Sequence, residues 1–253
     1  MTSTTTPSTA ARGCIAATAL LGAALLAGCA SGPQANPADP FEGYNRAMSR
    51  FNDDLDVAVV KPVAIAYKDV VPGVARQGVT NVFANLGDAW SFVNNLLQFQ
   101  LEGAFNSAVR FSVNTVLGIG GLFDIATEAG VERHKQDFGL TMARWGVPSG
   151  PYLVLPLIGP SSVRDTAGFA VDLQGNLLSR NVNDVSVRNS LYVLRTVNTR
   201  TNLLGVTSVL DYAALDKYAF TRDAYLQMRA QQAGQELPLD DGDDDAGRLP
   251  SED

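Results

Sequence analysis

Two cysteines and one histidine are all the chain offers toward metal ligation or thiol chemistry. No cluster of these residues exists to hold zinc, so no metal and no metal cofactor is expected. His134 stands in the charged run at 128–137, EAGVERHKQD, where a solvated imidazole is a better reading than a general base. Gly146-Val147-Pro148-Ser149-Gly150 resembles a nucleophile elbow, but the serine comes one place late and Pro148 spoils the strand-turn-helix context. Gly118-Ile119-Gly120-Gly121 is a fragment of a dinucleotide loop and follows a helical pattern, not a strand. These gaps argue against an enzyme. There is no basic patch, which disfavours nucleic acid as a partner. No apolar run reaches about eighteen residues, so no simple transmembrane helix is expected.

Charge is scarce in one long stretch. Between residues 77 and 123 the only charged side chains are Asp88, Glu102 and Arg110. A soluble domain carries about a quarter charged residues, so many more would be expected. The stretch is still helical in pattern. Val82, Leu86, Ala89, Trp90, Val93, Leu96 and Leu97 recur at helical spacing, and Phe83, Phe92 and Phe99 widen that face. Asn81, Asn85, Ser91, Asn94, Asn95 and Gln98 supply neutral polarity. A second amphipathic run carries Phe105, Val109, Val113 and Val116, and Gly118, Gly120 and Gly121 end it. Read alone, the stretch fits a buried helical hairpin. Beside a lipid anchor it fits residence in a membrane interface, with Val82, Leu86, Trp90, Val93 and Leu97 facing lipid or the core. On that reading an aspartate at Trp90 costs more than one at Asn94, and the neutral polar residues are candidates to line a path for a headgroup.

The N-terminus supplies the anchor. A short apolar run at 15–26, too short to span a bilayer, ends in Leu26-Ala27-Gly28-Cys29, the pattern of a lipoprotein signal in which Cys29 becomes the acylated first residue. With Cys14 lost in the signal and Cys29 acylated, no free thiol remains. Ala30 and Ser31 follow; the absence of an aspartate directly after Cys29 favours the outer membrane. The organisation read from sequence is a signal peptide (1–28), a lipidated Gly/Pro tether (29–38), one helical domain (39–235) and an acidic tail (236–253). All 26 acids and 18 of the 19 bases lie after Cys29, so the mature chain carries −8. The tail contributes −7 of this, and DDGDDD at 240–245 lacks the spacing of a calcium loop.

The body then reads as mainly α. Asp39 and Pro40 form a helix start, and Phe41, Tyr44, Met48, Phe51 and Leu55 share a face. Lys61-Pro62 predicts a kink. Glu42, Asp53, Asp54 and Asp56 read as solvated charges, and 128–137 as a solvent-facing loop or helix end. A helical region starts at Arg164-Asp165 and carries Phe169, Val171, Asp172 and Leu173. Gly205 is read as a helix stop, and 210–232 as one last helix. Between residues 139 and 165, Pro148, Pro151, Pro156 and Pro160 exclude a regular helix or a central strand, yet 152–158 is almost wholly apolar and needs something to pack against.

This proline-rich segment carries a resemblance. FGLTMARWGVPSGPYLVLPLIGPSSVRD at 138–165 resembles the signature of the MlaA/VacJ lipoproteins, as do DPFEGYNRAMSRFND (39–53), KPVAIAYKDVVP (61–72), NTVLGIGGLFDIA (114–126) and RDAYLQMRAQ (222–231). The signature residues are Trp145, Gly146, Gly150, Pro151, Tyr152, Pro156, Gly159, Pro160, Arg164 and Asp165. The resemblance implies a ring-like bundle of amphipathic helices lying in one membrane leaflet, with a central amphipathic channel. It implies retrograde transport of misplaced outer-leaflet phospholipid, a periplasmic lipid carrier like MlaC, and association with a trimeric outer-membrane porin. A non-transporting structural lipoprotein of the envelope is the alternative.

Overall fold

Helix α1 (Glu42–Leu55) starts two residues after Pro40 and has no side-chain cap. Asp39, expected at the helix start, does not cap it with its side chain: its carboxylate is buried and accepts hydrogen bonds from Asn45, Tyr218 and Arg222 instead. A single π-helical turn (Asp56–Val60) joins α1 to α2 (Lys61–Val70). Pro62 has no N–H to donate and its ring crowds the preceding turn, so the helix widens there instead of breaking. The structure is a computed structural model that describes residues 36–213 and 215–234. Cys29, the signal peptide, most of the tether and the acidic tail lie outside the described residues.

Helix α3 (Gly73–Leu97) and helix α4 (Leu101–Val116) fold back on each other as an antiparallel hairpin, with Asn95 beside Ser107, Asp88 beside Arg110 and Asn85 beside Thr115. A tight loop and the one-turn helix α5 (Ile125–Glu128) follow, then α6 (Phe138–Arg144), capped by Asp137.

The proline-rich segment forms a two-stranded antiparallel sheet, β1 (Tyr152–Leu155) and β2 (Gly159–Ser162), with Tyr152 opposite Ser162 and Leu155 opposite Gly159. Prolines exclude a central strand, but in a two-stranded ribbon both strands are edges, so Pro160 is tolerated. Leu157 at its tip has φ +66°, a strained backbone for a residue with a Cβ. Asn52 of α1 holds the tip by accepting from Leu157 N and donating to Leu155 O.

Helix α7 (Val163–Gly175), short α8 (Leu177–Asn181), α9 (Val185–Ala213) and α10 (Lys217–Ala233) complete the chain. Gly205 lies inside α9 and does not stop it. An interior glycine costs about 1 kcal/mol, a small penalty for a long helix packed on α2 and α3. The last helix is likewise two: α10 starts anew where Asp216 caps it.

The packing closes a circuit. Helix α2 lies on α9, α9 on α3, α3 on α6, α6 on α10, α10 on β2, and β1 on α1. The apolar core is small: Tyr152, Val154 and Tyr218, with Met48, Tyr225 and Leu226 against them. Among the described residues no helix is long and apolar enough to cross a membrane.

Candidate functional site

The α3–α4 hairpin is built inside out. Its buried face is polar: Asn85, Asp88, Ser91, Asn94, Asn95 and Gln98 on α3, and Ser107, Arg110 and Asn114 on α4. Its apolar residues point outward, with Phe99 at 87% and Phe105 at 69% exposure and Leu96, Leu97, Leu101 and Val116 beside them. Of these neutral polar residues Ser91 borders a cavity between α3, α7, α8 and α9, and the rest are not on its wall. They bond the hairpin to its neighbours. Asn95 donates to Ser91 O, Ser107 Oγ and His134 O; Gln98 donates to Thr141; Thr141 donates to Asn94. Asn94 is fully buried, which overturns the expectation that a charge there is milder than at Trp90.

Two of the stretch's three charges, Asp88 and Arg110, are spent on the same task. Arg110, 1% exposed, donates to Asp88, twice to Asp124, and to Val131 O. Arg133 reaches Asp88 at 3.1 Å. Burial raises the Asp88 pKa, and the two guanidinium charges only partly offset it. So 128–137 is not a free loop: Arg133 and Asp137 make ion pairs, and Gln136 N donates to Ser91. Other acids read as solvated are also engaged, Asp56 with Arg200 at 2.7 Å and Asp53 with Lys217 at 3.2 Å.

The signature residues fall into two groups. Arg164 and Asp165 are buried at the start of α7, where Asp165 accepts from Arg164, from Tyr225 and from Arg229, and Arg229 also grips Asp137 with two bonds of 2.7 and 2.9 Å. Burial alone would raise the pKa of Asp165, but the hydrogen bond and charge of Arg229 outweigh it and hold it at about 2. The helices meet closely here: a Cβ on Gly168 would come within 2.5 Å of the Gly139 nitrogen. Tyr152 is buried in the core, while Trp145 lies half-exposed at the end of α6, donating to Leu97 O. Gly146, Gly150 and Gly159 all take positive φ, and Pro151, Pro156 and Pro160 frame the β ribbon. Ser149 accepts from Arg164 N through its backbone, and the His134 ring contacts Asn106 and lies 3.9 Å from Glu132.

Between α3, α7, α8 and α9 lies a cavity of about 340 Å³. Phe83, Leu86, Trp90, Phe169, Leu173 and Leu178 form apolar wall; Lys135, Asp137, Asp172 and Arg195 bring charge. Trp90 is placed by two contacts. Its indole N–H donates to Asp172 at 2.7 Å, and its ring lies over Gly175, where a Cβ would come within 2.2 Å. Burial raises the Asp172 pKa beyond what the Trp90 and Phe138 N–H bonds offset. Of the helix face read from sequence, Leu86 and Trp90 line this cavity, Val82 is half-buried, and Val93 and Leu97 are exposed on the outer surface. The sequence reading missed Lys135, Arg195 and Phe169 as cavity residues. Phe169, Asp172 and Leu173 share helical spacing, a signal for one face, but nothing in spacing places that face opposite Trp90. Among the described residues no group of His, Cys, Asp or Glu is arranged to hold a metal.

The circuit thus combines a hairpin that is apolar outside and polar inside with an amphipathic cavity. Comparison with known proteins gives the family. The MlaA lipoprotein family matches residues 37–232. The intermembrane phospholipid transport system lipoprotein MlaA of Escherichia coli K12 is 38% identical over 213 residues, spanning 82% of this chain and 84% of its own. Its Haemophilus influenzae counterpart is 35% identical over 162 residues, 61% of this chain and 65% of that one. A structure solved in work on the structural basis for maintenance of bacterial outer membrane lipid asymmetry superposes with a TM-score of 0.68 at 36% identity, covering 77% of this chain and 98% of that one. The chain belongs to the MlaA lipoprotein family.

Proposed function

We propose that this protein, an envelope lipoprotein associated with the outer membrane, removes mislocalised phospholipid from the outer leaflet and passes it through the α3–α7–α8–α9 cavity to a periplasmic carrier. The observation that carries this is the cavity's composition, apolar wall beside charged groups, in a body whose hairpin turns apolar side chains outward. A headgroup crossing hydrocarbon unaided loses its hydrogen bonds at a cost of several kcal/mol. Polar wall removes that cost, and apolar wall keeps the chains out of water. Each methylene adds about 0.8 kcal/mol to membrane retention, so two acyl chains leave release into water negligible and an acceptor is required.

The finer assignments have sequence support. The lipid is attached at Cys29, and Cys29→Ser is expected to abolish acyl labelling. The acceptor is an MlaC-like carrier, a trimeric porin is a membrane partner, and no chemical step or cofactor is invoked. The test is reconstitution in vesicles with labelled phospholipid and a purified carrier. Faster arrival of label on the carrier with the protein than without it is expected. Equal rates would leave the alternative, a structural envelope lipoprotein.

A further inference from the structure

We propose that Asp172 reads the headgroup in the cavity, its free carboxylate oxygen taking the primary ammonium of an ethanolamine-type phospholipid. This rests on the phospholipid-transport reading and adds which headgroup the site favours and which residue contacts it.

Carboxylates that leave the surface of this fold acquire a cation. Every other described aspartate or glutamate that is buried or half-buried has a lysine or arginine within 4.0 Å. Asp39 has Arg222, Asp56 has Arg200, Asp88 has Arg110, and Asp137 and Asp165 share Arg229. Glu42, Asp53 and Asp124 follow the same pattern. Asp172 is half-buried and has no such partner among the described residues. Lys135 and Arg195 line the same cavity but are exposed and stand beyond 4.0 Å from it. Arg229 acts on Asp172 only at a distance, because its hydrogen bonds go to Asp137 and Asp165. A half-buried charge without a partner is costly, so this position calls for a cation that the chain does not supply.

The carboxylate is also held in place. Oδ1 accepts from Trp90 Nε1 at 2.7 Å and from Phe138 N at 2.9 Å. The Trp90 ring packs so closely on Gly175 that a Cβ there would meet it at 2.2 Å. Oδ2 takes no hydrogen bond from the described residues. Nor is it sealed from solvent: the sealed, unbonded side-chain atoms among the described residues are Asn85 Oδ1, Asn95 Oδ1 and Arg164 Nη1. A fixed, charged acceptor therefore stands open at the wall, beside apolar Leu86, Phe169 and Leu173.

The ligand that completes this wall joins a cationic donor to apolar chains. A primary ammonium offers both a charge and N–H donors, and charge-assisted bonds are the stronger kind. A glycerol headgroup offers hydroxyl donors but carries a net negative charge toward Asp172. Half-burial of the carboxylate strengthens both the attraction and the repulsion relative to bulk water.

The test uses full-length lipidated protein and two readouts. The first is lipid retained per protein from detergent micelles doped equally with phosphatidylethanolamine, phosphatidylglycerol and N-acetyl-phosphatidylethanolamine of the same acyl chains. The second is transfer of each labelled lipid from vesicles to the carrier. Wild type is expected to retain phosphatidylethanolamine over the other two by about fivefold, the scale of a partly exposed ion pair. Asp172→Asn keeps an oxygen for Trp90 and Phe138 and removes the charge, so it should fold and lose the preference. Asp54→Asn, exposed on α1, is the charge control and should keep it. The N-acetyl lipid removes the charge from the ligand's side, so wild-type protein alone decides the matter if the variant does not accumulate. A retention bias that Asp172→Asn abolishes supports the inference even where wild type transfers nothing, in which case the transport reading alone falls. Several results would overturn the inference and leave transport to its own assay: no retained lipid, equal retention of phosphatidylethanolamine and either other lipid by wild type, or a bias that Asp172→Asn leaves unchanged or Asp54→Asn lowers equally.

Discussion

The α3–α4 hairpin and the region formed by α1, the β ribbon and α10 solve the folding problem in opposite ways. Around the ribbon, Tyr152, Val154 and Tyr218 make an apolar core beside the buried Asp39 and Asn45, and the outer surface mixes Asp223 and Gln227 with Tyr44, Phe51 and Phe220. In the hairpin, the interior is asparagine, serine and an Arg–Asp network, and the outside is phenylalanine, leucine and valine. Burying apolar surface stabilises a protein only if the alternative is water. Where the outside is hydrocarbon that drive vanishes, and interhelical hydrogen bonds and close packing hold helices together. The hairpin has the arrangement that a hydrocarbon surrounding favours.

The comparison breaks hardest at its charged interior. Arg110→Leu leaves Asp88 and Asp124 in a site built for a guanidinium; removing one partner of a buried pair costs about 3–5 kcal/mol. Denaturant unfolding in detergent should show this loss or a failure to accumulate. Asn94→Asp comes next, since it places an unpaired charge at a fully buried position; it should match or exceed Trp90→Asp in thermal unfolding, the reverse of what sequence spacing predicts.

A third prediction concerns acid and the ribbon side. Asp165 is held at about 2 in the fold, below an unfolded carboxylate near 4. A depressed folded pKa contributes stability above the unfolded value, lost as pH falls through the folded one. That amounts to about 2 kcal/mol lost between about pH 4 and 2. Asp165→Asn should remove this part of the pH dependence while lowering neutral-pH stability. The smallest effect separates the two surfaces. Phe99→Ser on the hairpin bend and Phe220→Ser on α10 both alter exposed rings. In detergent each should shift unfolding by about 0.5 kcal/mol or less, and only Phe99→Ser should weaken flotation with liposomes.

Much of the fold was legible because helical period and punctuation are local. The irregularity next to Pro62, the glycine-rich end of α4 and the two long charge-poor helices follow from neighbouring residues. Gly205 misled because a breaker's local cost is outweighed by contacts far away in sequence. The proline segment concealed a hairpin because its strands pair with each other and pack on α1, α7 and α10, partners far away in sequence that spacing does not encode. The hairpin's orientation was hardest to read. An amphipathic pattern states that two faces differ, not which is inside, and the apolar face is inside only if water lies outside. Lys135 and Arg195, which both line the cavity, were illegible for a different reason: they lie sixty residues apart in the chain.

The central claim, that the hairpin's apolar face lies in hydrocarbon, is tested most directly by depth. Single spin labels at Phe105 and at Asp223, in lipidated protein reconstituted in bilayers, would be exposed in turn to oxygen, which partitions into the membrane, and to a water-soluble nickel chelate. The account predicts that the label at 105 relaxes with oxygen and is shielded from nickel, and that the label at 223 does the opposite. Equal access of the nickel chelate to both positions would contradict it.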